Sequence, residues 1–369
     1  TEILARQHFA TIEPLANAIG IPVVLITGRD KGKRREDLVA RLKTGETPLA
    51  IGTHALFQDD IAFDDLALVV VDEQHRFGVH QRLALAGKGT AADILVMTAT
   101  PIPRTLMMTA YGDLETSRLT EKPAGRKPIE TRAMPLSRME DIVDRLRPAI
   151  ATGARVYWVC PLVEDSDVVD VAAATERHAA LSQHFGDRVG LVHGRLKAAE
   201  KDAVMSRFAD GDIDILVATT VIEVGVDVPE ATIMVIEQAE RFGLAQLHQL
   251  RGRVGRGDSS SSCILLYGEP LGETAKGRLK VMRETDDGFV IAEEDLRLRG
   301  AGEVLGTRQS GLPQFRMANI AYHADLIAAA RDDARLILDK DPDLKSERGN
   351  ALRTLLYLFE RDAVVKTAL

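Results

Sequence analysis

The chain has 369 residues, 45% of them hydrophobic and 28% charged, with a net charge of −8 at neutral pH. That length and apolar fraction call for two hydrophobic cores in place of one, and the acidic balance excludes indiscriminate coating of nucleic acid while leaving room for a local basic groove. Cys160 and Cys263 sit far apart in apolar runs, which fits buried free thiols in a reducing compartment; no metal-ligand spacing, secretory leader or bilayer-length apolar run is present, so a cytoplasmic protein is expected.

The chain opens at Thr1, with no methionine, inside the amphipathic stretch TEILARQHFATIEPLANAIG, so an upstream portion is expected to be missing. Four short β-branched runs follow: IPVVLITG, TPLAIGT, LALVVVDE and DILVMTAT. Helix-period stretches separate them, and near-continuous apolar strands alternating with helices mean a parallel sheet covered on both faces. Residues 120 to 138, TEKPAGRKPIETRAMPLSR, break the pattern with proline, glycine and charge and read as a linker. A second set of strands then appears as ARVYWVC, RVGLVHG, IDILVATT, ATIMVIE and SSCILLYG. Beyond them two helices are expected to meet near Asp286, Asp287 and Gly288, followed by the glycine-punctuated GAGEVLGTRQSGLPQF and, from Asn319, amphipathic helices read as core packing. The predicted class is α/β, with a lobe over 1–119, a linker over 120–138, a second lobe over 139–267 and a helical portion over 268–369.

The two halves also resemble each other. Each runs strand, Gly-Arg, basic helix, Gly-containing turn, strand ending in threonine, loop, and a strand ending in Glu-Gln. Written out this way, Asp72-Glu73 of the first copy stands against Ile236-Glu237 of the second, so an acidic pair belongs to the first lobe alone. Ligands of open parallel sheets bind beyond the carboxyl ends of strands. Two adjacent carboxylates there repel and lose hydration, a cost that a divalent cation relieves. Asp72 could hold Mg²⁺ while Glu73 polarises an attacking water; the plainer reading is a strand end capped by solvated acids. In QLRGRVGR, the spacing of Arg253 and Arg256 on a helix would bring two planar forks to one phosphate group, against the plainer reading of a solvated basic helix. The phosphate-cradling pattern G-x-x-x-x-G-K-[ST] is absent, and GRDKGK at Gly28 to Lys33 reads as a turn entering a basic helix.

DEQH at 72 to 75, TATPIPRT at 98 to 105, ATTVIEVGVDVP at 218 to 229 and QLRGRVGR at 249 to 256 resemble, in order, motifs II, III, V and VI of superfamily-two helicases. The fuller strings DEQHRFGVHQR, TATPIPRTL, GLAQLHQLRGRVGRG and DDGFVIAEEDLRLRGAGEVLGTRQSG resemble the RecG family of bacterial branched-DNA translocases, from Thr1 to at least Gly311. That resemblance implies two tandem RecA-like lobes, the first truncated at its N-terminus, then a helical hairpin. It implies ATP and Mg²⁺ as cofactors and Asp72, Glu73, His75, Gln249, Arg253 and Arg256 as the catalytic set, with Gln249 coupled to His75 and with Gly225 and Asp227 beside Arg253 and Arg256 at the nucleotide. Arg6, Gln7, Thr53, His54, His193, Arg195, Thr219 and Thr220 would face a DNA backbone from loops on the far side of the sheets. Taken singly, Thr53 and Thr219 have the plainer reading of strand-end caps, and only their equivalent places in the two repeats set them among the DNA contacts. Thr98, Thr100, Arg278, Arg299 and Gln309 would couple motor closure to movement on duplex DNA. The implied substrates are stalled forks and Holliday junctions. A monomeric, nucleoid-associated protein with a single-strand-binding protein as a further partner is expected, as is negligible ATPase activity of this chain by itself, because the P-loop and an N-terminal wedge domain lie upstream in the family. The alternatives are a translocase of the related Mfd type, which differs in reading Glu-Glu-Gln where this chain has Glu73-Gln74-His75, and a nucleotide-independent DNA-binding or regulatory module.

Overall fold

A computed structural model of the chain describes residues 2–73, 88–89, 92–99, 116–123, 125–161, 167–219, 228–306 and 324–358. All nine strands expected above are present, and so is a tenth. The first portion runs helix α1 (Glu2–Ala18), β1 (Val23–Ile26), α2 (Gly32–Lys43), β2 (Leu49–Gly52), β3 (Leu68–Val71) and β4 (Asp93–Val96). The second runs β5 (Ile129–Pro135), α3 (Met139–Ala151), β6 (Arg155–Val159), α4 (Asp167–Phe185), β7 (Val189–Val192), α5 (Ala198–Asp210), β8 (Ile215–Ala218), β9 (Ala231–Ile236), α6 (Leu244–Arg251) and β10 (Ser261–Tyr267). Helices α7 (Glu273–Glu284), α8 (Gly288–Gly306), α9 (Ala324–Lys340) and α10 (Glu347–Leu358) complete the described residues. The chain divides into two compact units: one holds 1–101 and 121–291, the other 102–120 and 292–369, so the boundary after Ile291 falls within α8.

The second lobe is built on a six-stranded sheet in the order β5-β10-β9-β6-β8-β7, parallel throughout. Its middle strands are apolar because helices cover both faces: Tyr157 and Trp158 of β6, Leu216 and Val217 of β8, and Val235 and Ile236 of β9 are all buried. Each large side chain so buried contributes on the order of 2–3 kcal/mol.

Strand β5 lies inside the stretch expected to be linker, and pairs along its whole length with β10. Its Glu130 and Arg132 pair with each other on the exposed side, Pro128 precedes it and Pro135 ends it. An edge strand carries charge on its open face and tolerates proline at its ends, which is the composition of a linker. The second lobe's sheet therefore starts ahead of residue 139, and the segment between the lobes is shorter than 120–138.

Among the described residues the first lobe contains two separate two-stranded parallel sheets, β1-β2 and β3-β4. The internal repeat explains the gap. In the second lobe the run is β6, α4, β7, α5, β8, β9, and β6 lies between β8 and β9. In the first lobe the matching run begins at α1, and among the described residues no strand lies between β2 and β3. Leu68 and Val70, on one face of β3, are 57% and 52% exposed. A pair of strands is marginal alone, and apolar residues at this exposure on alternate positions belong to a sheet that elsewhere is covered.

The repeat also corrects the register read from the strings. β3 ends at Val71 and β9 at Ile236, and the left-handed residues beyond them are Glu73 (φ 56°) and Gln238 (φ 47°). Val71 thus matches Ile236, Asp72 matches Glu237, and Glu73 matches Gln238; the shared RFG that follows each copy has the same offset. The earlier alignment was one residue out because the apolar runs can slide past each other, whereas the backbone kink cannot.

The terminal helices form where amphipathic segments were expected, but they do not read as core: Leu336, Leu338, Leu355 and Tyr357 are exposed. Amphipathic spacing predicts a helix and its apolar stripe, not what covers the stripe.

Candidate functional site

The acidic pair emerges from the carboxyl end of β3. Asp72 Oδ1 accepts the main-chain N–H of Glu73 at 2.9 Å, which stabilises the left-handed turn at Glu73. Such a conformation costs a non-glycine residue about 1–2 kcal/mol and persists where the surroundings enforce it. Asp72 Oδ2 meets His8 Nε2 of α1 at 2.9 Å. His8 carries no motif signal in the sequence, and only the fold brings α1 to the end of β3.

The equivalent place in the second lobe has a different use. Glu237, the counterpart of Asp72, accepts Trp158 Nε1 at 2.5 Å and a two-pronged ion pair from Arg177 at 2.5 and 3.1 Å, and all three lie largely out of water. Arg177 also stacks over the Trp158 ring. The carboxylate is spent on holding α4 to β6. Arg177→Met should therefore destabilise the chain by about 3 kcal/mol, since removing one partner strands a buried charge; a urea midpoint equal to that of the unaltered chain would count against this. Burial raises the thiol pKa of Cys160 beside this network and pushes that of Cys263 up to about 12; both are free and buried, as expected.

The arginine-rich segment departs from the expected geometry. Helix α6 stops at Arg251, and Arg253 and Arg256 sit on the turns beyond it. Gly255 forces this: its φ is 76°, and an added Cβ would lie 2.9 Å from Ile129 Cγ1 of β5. Arg256 Nε donates to the Gly252 carbonyl at 3.3 Å. Both arginines, with Gln249 one turn back in α6, are half-buried. The turn, not a helical face, sets their spacing.

The DNA-facing candidates also fall differently from expectation. Thr53 and His54 follow β2, His193 and Arg195 follow β7, and Thr219 follows β8, as Asp72 follows β3 and Thr98 follows β4. In a parallel sheet every residue that follows a strand emerges at the same edge, so Thr53 and His54 stand at the carboxyl edge of β1-β2, His193, Arg195 and Thr219 at that of the six-stranded sheet, and the acidic pair at that of β3-β4. Thr53 Oγ1 accepts from Ala55 N at 3.4 Å as the cap of a short 3₁₀ turn, and Thr219 is 2% exposed, so both have the capping or buried placement of strand-end residues. Arg6 and Gln7 lie on α1, where Arg6 pairs with Glu2. His193 has its pKa lowered by burial and then by Lys201 and Arg195. Arg278 of α7 reaches the Phe242 carbonyl at 3.5 Å. His75, Thr100, Thr220, Gly225, Asp227 and Gln309 lie outside the described residues, as does the side chain of Arg299.

The two lobes touch through Arg29, in the turn read from GRDKGK, which pairs with Glu2 at 2.9 Å and with Asp202 of α5 at 3.2 Å. Tandem parallel-sheet lobes, with an acidic strand end in the first and an arginine turn in the second, have the architecture that the helicase-like motifs imply. In agreement, residues 1–109 match the family DEAD/DEAH box helicase and 137–258 the Helicase conserved C-terminal domain. Residues 285–364 match ATP-dependent DNA helicase RecG, domain 3, C-terminal, and the chain belongs to the RecG family.

It is 51% identical to the ATP-dependent DNA helicase RecG of Escherichia coli (strain K12), over 93% of this chain and 50% of that protein. It is 47% identical to that of Bacillus subtilis (strain 168), over 96% of this chain and 52% of the relative. The chain thus spans about half the length of the curated relatives it matches. A solved structure of RecG bound to a three-way DNA junction superposes with a TM-score of 0.70 at 43% identity, covering 89% of this chain and 42% of that one. The helicase MrfA bound to DNA and AMPPNP shares the fold at 15% identity, with a TM-score of 0.57, over 90% of this chain and 50% of that one.

Proposed function

We propose that this chain is the motor portion of an ATP-dependent double-stranded-DNA translocase of the RecG type, which remodels stalled forks and Holliday junctions. One observation carries the division of labour between the lobes: at the same left-handed backbone position the first lobe has Glu73 and the second has Gln238. A carboxylate can take a proton from water and an amide cannot, so hydrolytic chemistry belongs to the first lobe. Glu73 orients and deprotonates the attacking water. Arg253 and Arg256 supply donors to the charge that develops on the transferring phosphoryl group. Gln249 links the arginine turn to His75.

Asp72 and Glu73 suit Mg²⁺. Among the described residues no cluster of three or more acidic, His or Cys side chains could enclose a metal ion. Two adjacent carboxylates are the donor set of an ion that keeps water and nucleotide phosphates as its remaining ligands. When bound, Mg²⁺ neutralises phosphate charge.

The protein acts on branched duplex DNA by contacts to the sugar-phosphate backbone, without reading bases, from Arg6, Gln7, His54, His193, Arg195 and Thr220, while Thr53 and Thr219 serve as strand-end residues. Thr98, Thr100, Arg278, Arg299 and Gln309 transmit lobe closure to that DNA. It works as a cytoplasmic, nucleoid-associated monomer that meets a single-strand-binding protein at the fork. Among the described residues no strand fills, between β2 and β3, the place that β6 holds between β8 and β9.

The 369-residue chain by itself should turn over ATP at background rate with or without a synthetic three-way junction, and the same chain joined to the preceding polypeptide of its reading frame should show DNA-stimulated turnover. Vigorous junction-stimulated hydrolysis by the chain alone would refute this assignment of parts.

A further inference from the structure

Arg251, the last residue of α6, is 2% exposed. A guanidinium out of water persists only where other oxygens replace its hydration. Nη1 donates to the Met282 carbonyl at 2.7 Å, the Thr285 carbonyl at 3.0 Å and Thr131 Oγ1 of β5 at 3.4 Å; Nη2 meets His248 Nδ1 at 3.3 Å. Met282 lies in the last turn of α7, whose final carbonyls have no partner within the helix. Arg251 is therefore a cationic cap on α7 supplied by a different helix.

The residues after α7 are equally committed. Thr285 Oγ1 accepts from Asp287 N at 3.0 Å, and Asp287 Oδ1 accepts from Phe289 N at 2.8 Å and from Val290 N at 3.4 Å, so Asp287 caps the start of α8. Asp286 pairs with Lys122 from the segment between the lobes. His248 is kept neutral by burial first and by Arg251 next, with a pKa lowered to about 4, so it can accept from the guanidinium beside it. Three stretches distant in sequence thus meet at one turn: the segment after lobe one, the helix that carries Gln249 into the arginine turn, and the junction of α7 and α8.

We propose that Arg251 is a positioning residue that ties the turn at 285–287 to the arginine turn at 252–256, so that displacement of the arginine turn by nucleotide is passed to the first turn of α8, with Lys122 and Asp286 as a second tie to the interlobe segment. This rests on the motor reading above. Arg251 itself binds no phosphate, because its fork is committed to carbonyl and hydroxyl oxygens of the protein. Lysine would keep the charge but put one nitrogen in place of the two prongs, so the oxygens met by Nη1 and His248 Nδ1 met by Nη2 could no longer be held together.

The test uses the full-length protein. Arg251→Lys should leave DNA-stimulated ATP turnover within about threefold of the unaltered protein while junctions unwound per ATP consumed fall about tenfold. A purely structural role would lower both together and leave their ratio unchanged. Amide hydrogen exchange at 287–291, without DNA or nucleotide, should also accelerate in this variant. Lys122→Glu, at an exposed position that does not endanger folding, should lower the same ratio about threefold, and adding Asp286→Lys should restore it. An unchanged ratio in folded Arg251→Lys, or unchanged exchange at 287–291, overturns the proposal; if Arg251→Lys does not fold, failure of the Lys122 and Asp286 exchange to move and restore the ratio overturns it. Should the unaltered full-length protein not unwind junctions at all, the motor reading falls, and the exchange measurement still decides whether Arg251 holds the turn.

Discussion

Glu73→Gln in the full-length protein should reduce ATP turnover by about 10²–10⁴-fold, the range associated with loss of a general base, while nucleotide affinity stays within about threefold. The substitution keeps the side chain's size and a hydrogen-bonding head, and the backbone already tolerates glutamine in this conformation: Gln238 holds it at the equivalent place in the second lobe. What changes is the capacity to take a proton. Asp72 keeps its bond to the Glu73 main-chain N–H, so the turn itself should survive. Single-turnover hydrolysis and equilibrium binding of a fluorescent nucleotide, measured side by side, separate chemistry from binding. Near-normal turnover would remove Glu73 from the base role and return the acidic pair to a solvated strand end.

Arg256→Ala should lower kcat by about 10³–10⁵-fold, as loss of an arginine that stabilises transition-state charge does. Arg256→Lys should recover little of it, because a point charge on a flexible stem does not reproduce a planar fork. The position of the fork is set by its surroundings: Gly255 turns the chain against Ile129, and the Gly252 carbonyl holds Arg256 Nε. A kcat within about tenfold of the unaltered protein would place Arg256 outside the transition state and leave Arg253 as the candidate.

The strands and the acidic pair were legible because buried parallel strands are nearly pure Val, Ile and Leu and end abruptly where polar residues begin, as LVVV does before Asp72. β5 was not, since IETRAMP, preceded by Pro128 and ending in Pro135, has the charge and prolines of a connector, and only pairing with β10 makes it a strand. The arginine turn was misread as helix because the spacing of Arg253 and Arg256 is compatible with either, and the deciding feature, Gly255 pressed against β5, is a contact between residues 126 positions apart. His8 beside Asp72, and Arg177 beside Glu237, had no local signature at all.

By itself the sequence determined the α/β class from its apolar periodicity, and the class of protein from the resemblance carried by its motifs in order. Both are written in local stretches of the chain. Only the tertiary structure decided the register between the two repeats, the edge of the sheets from which the candidates emerge, and the use to which Arg251 and Glu237 are put. A charged side chain carries the same formula wherever it stands; whether it serves as cap, tie or reagent depends on which distant carbonyls, carboxylates and rings replace its water, and that is settled by packing.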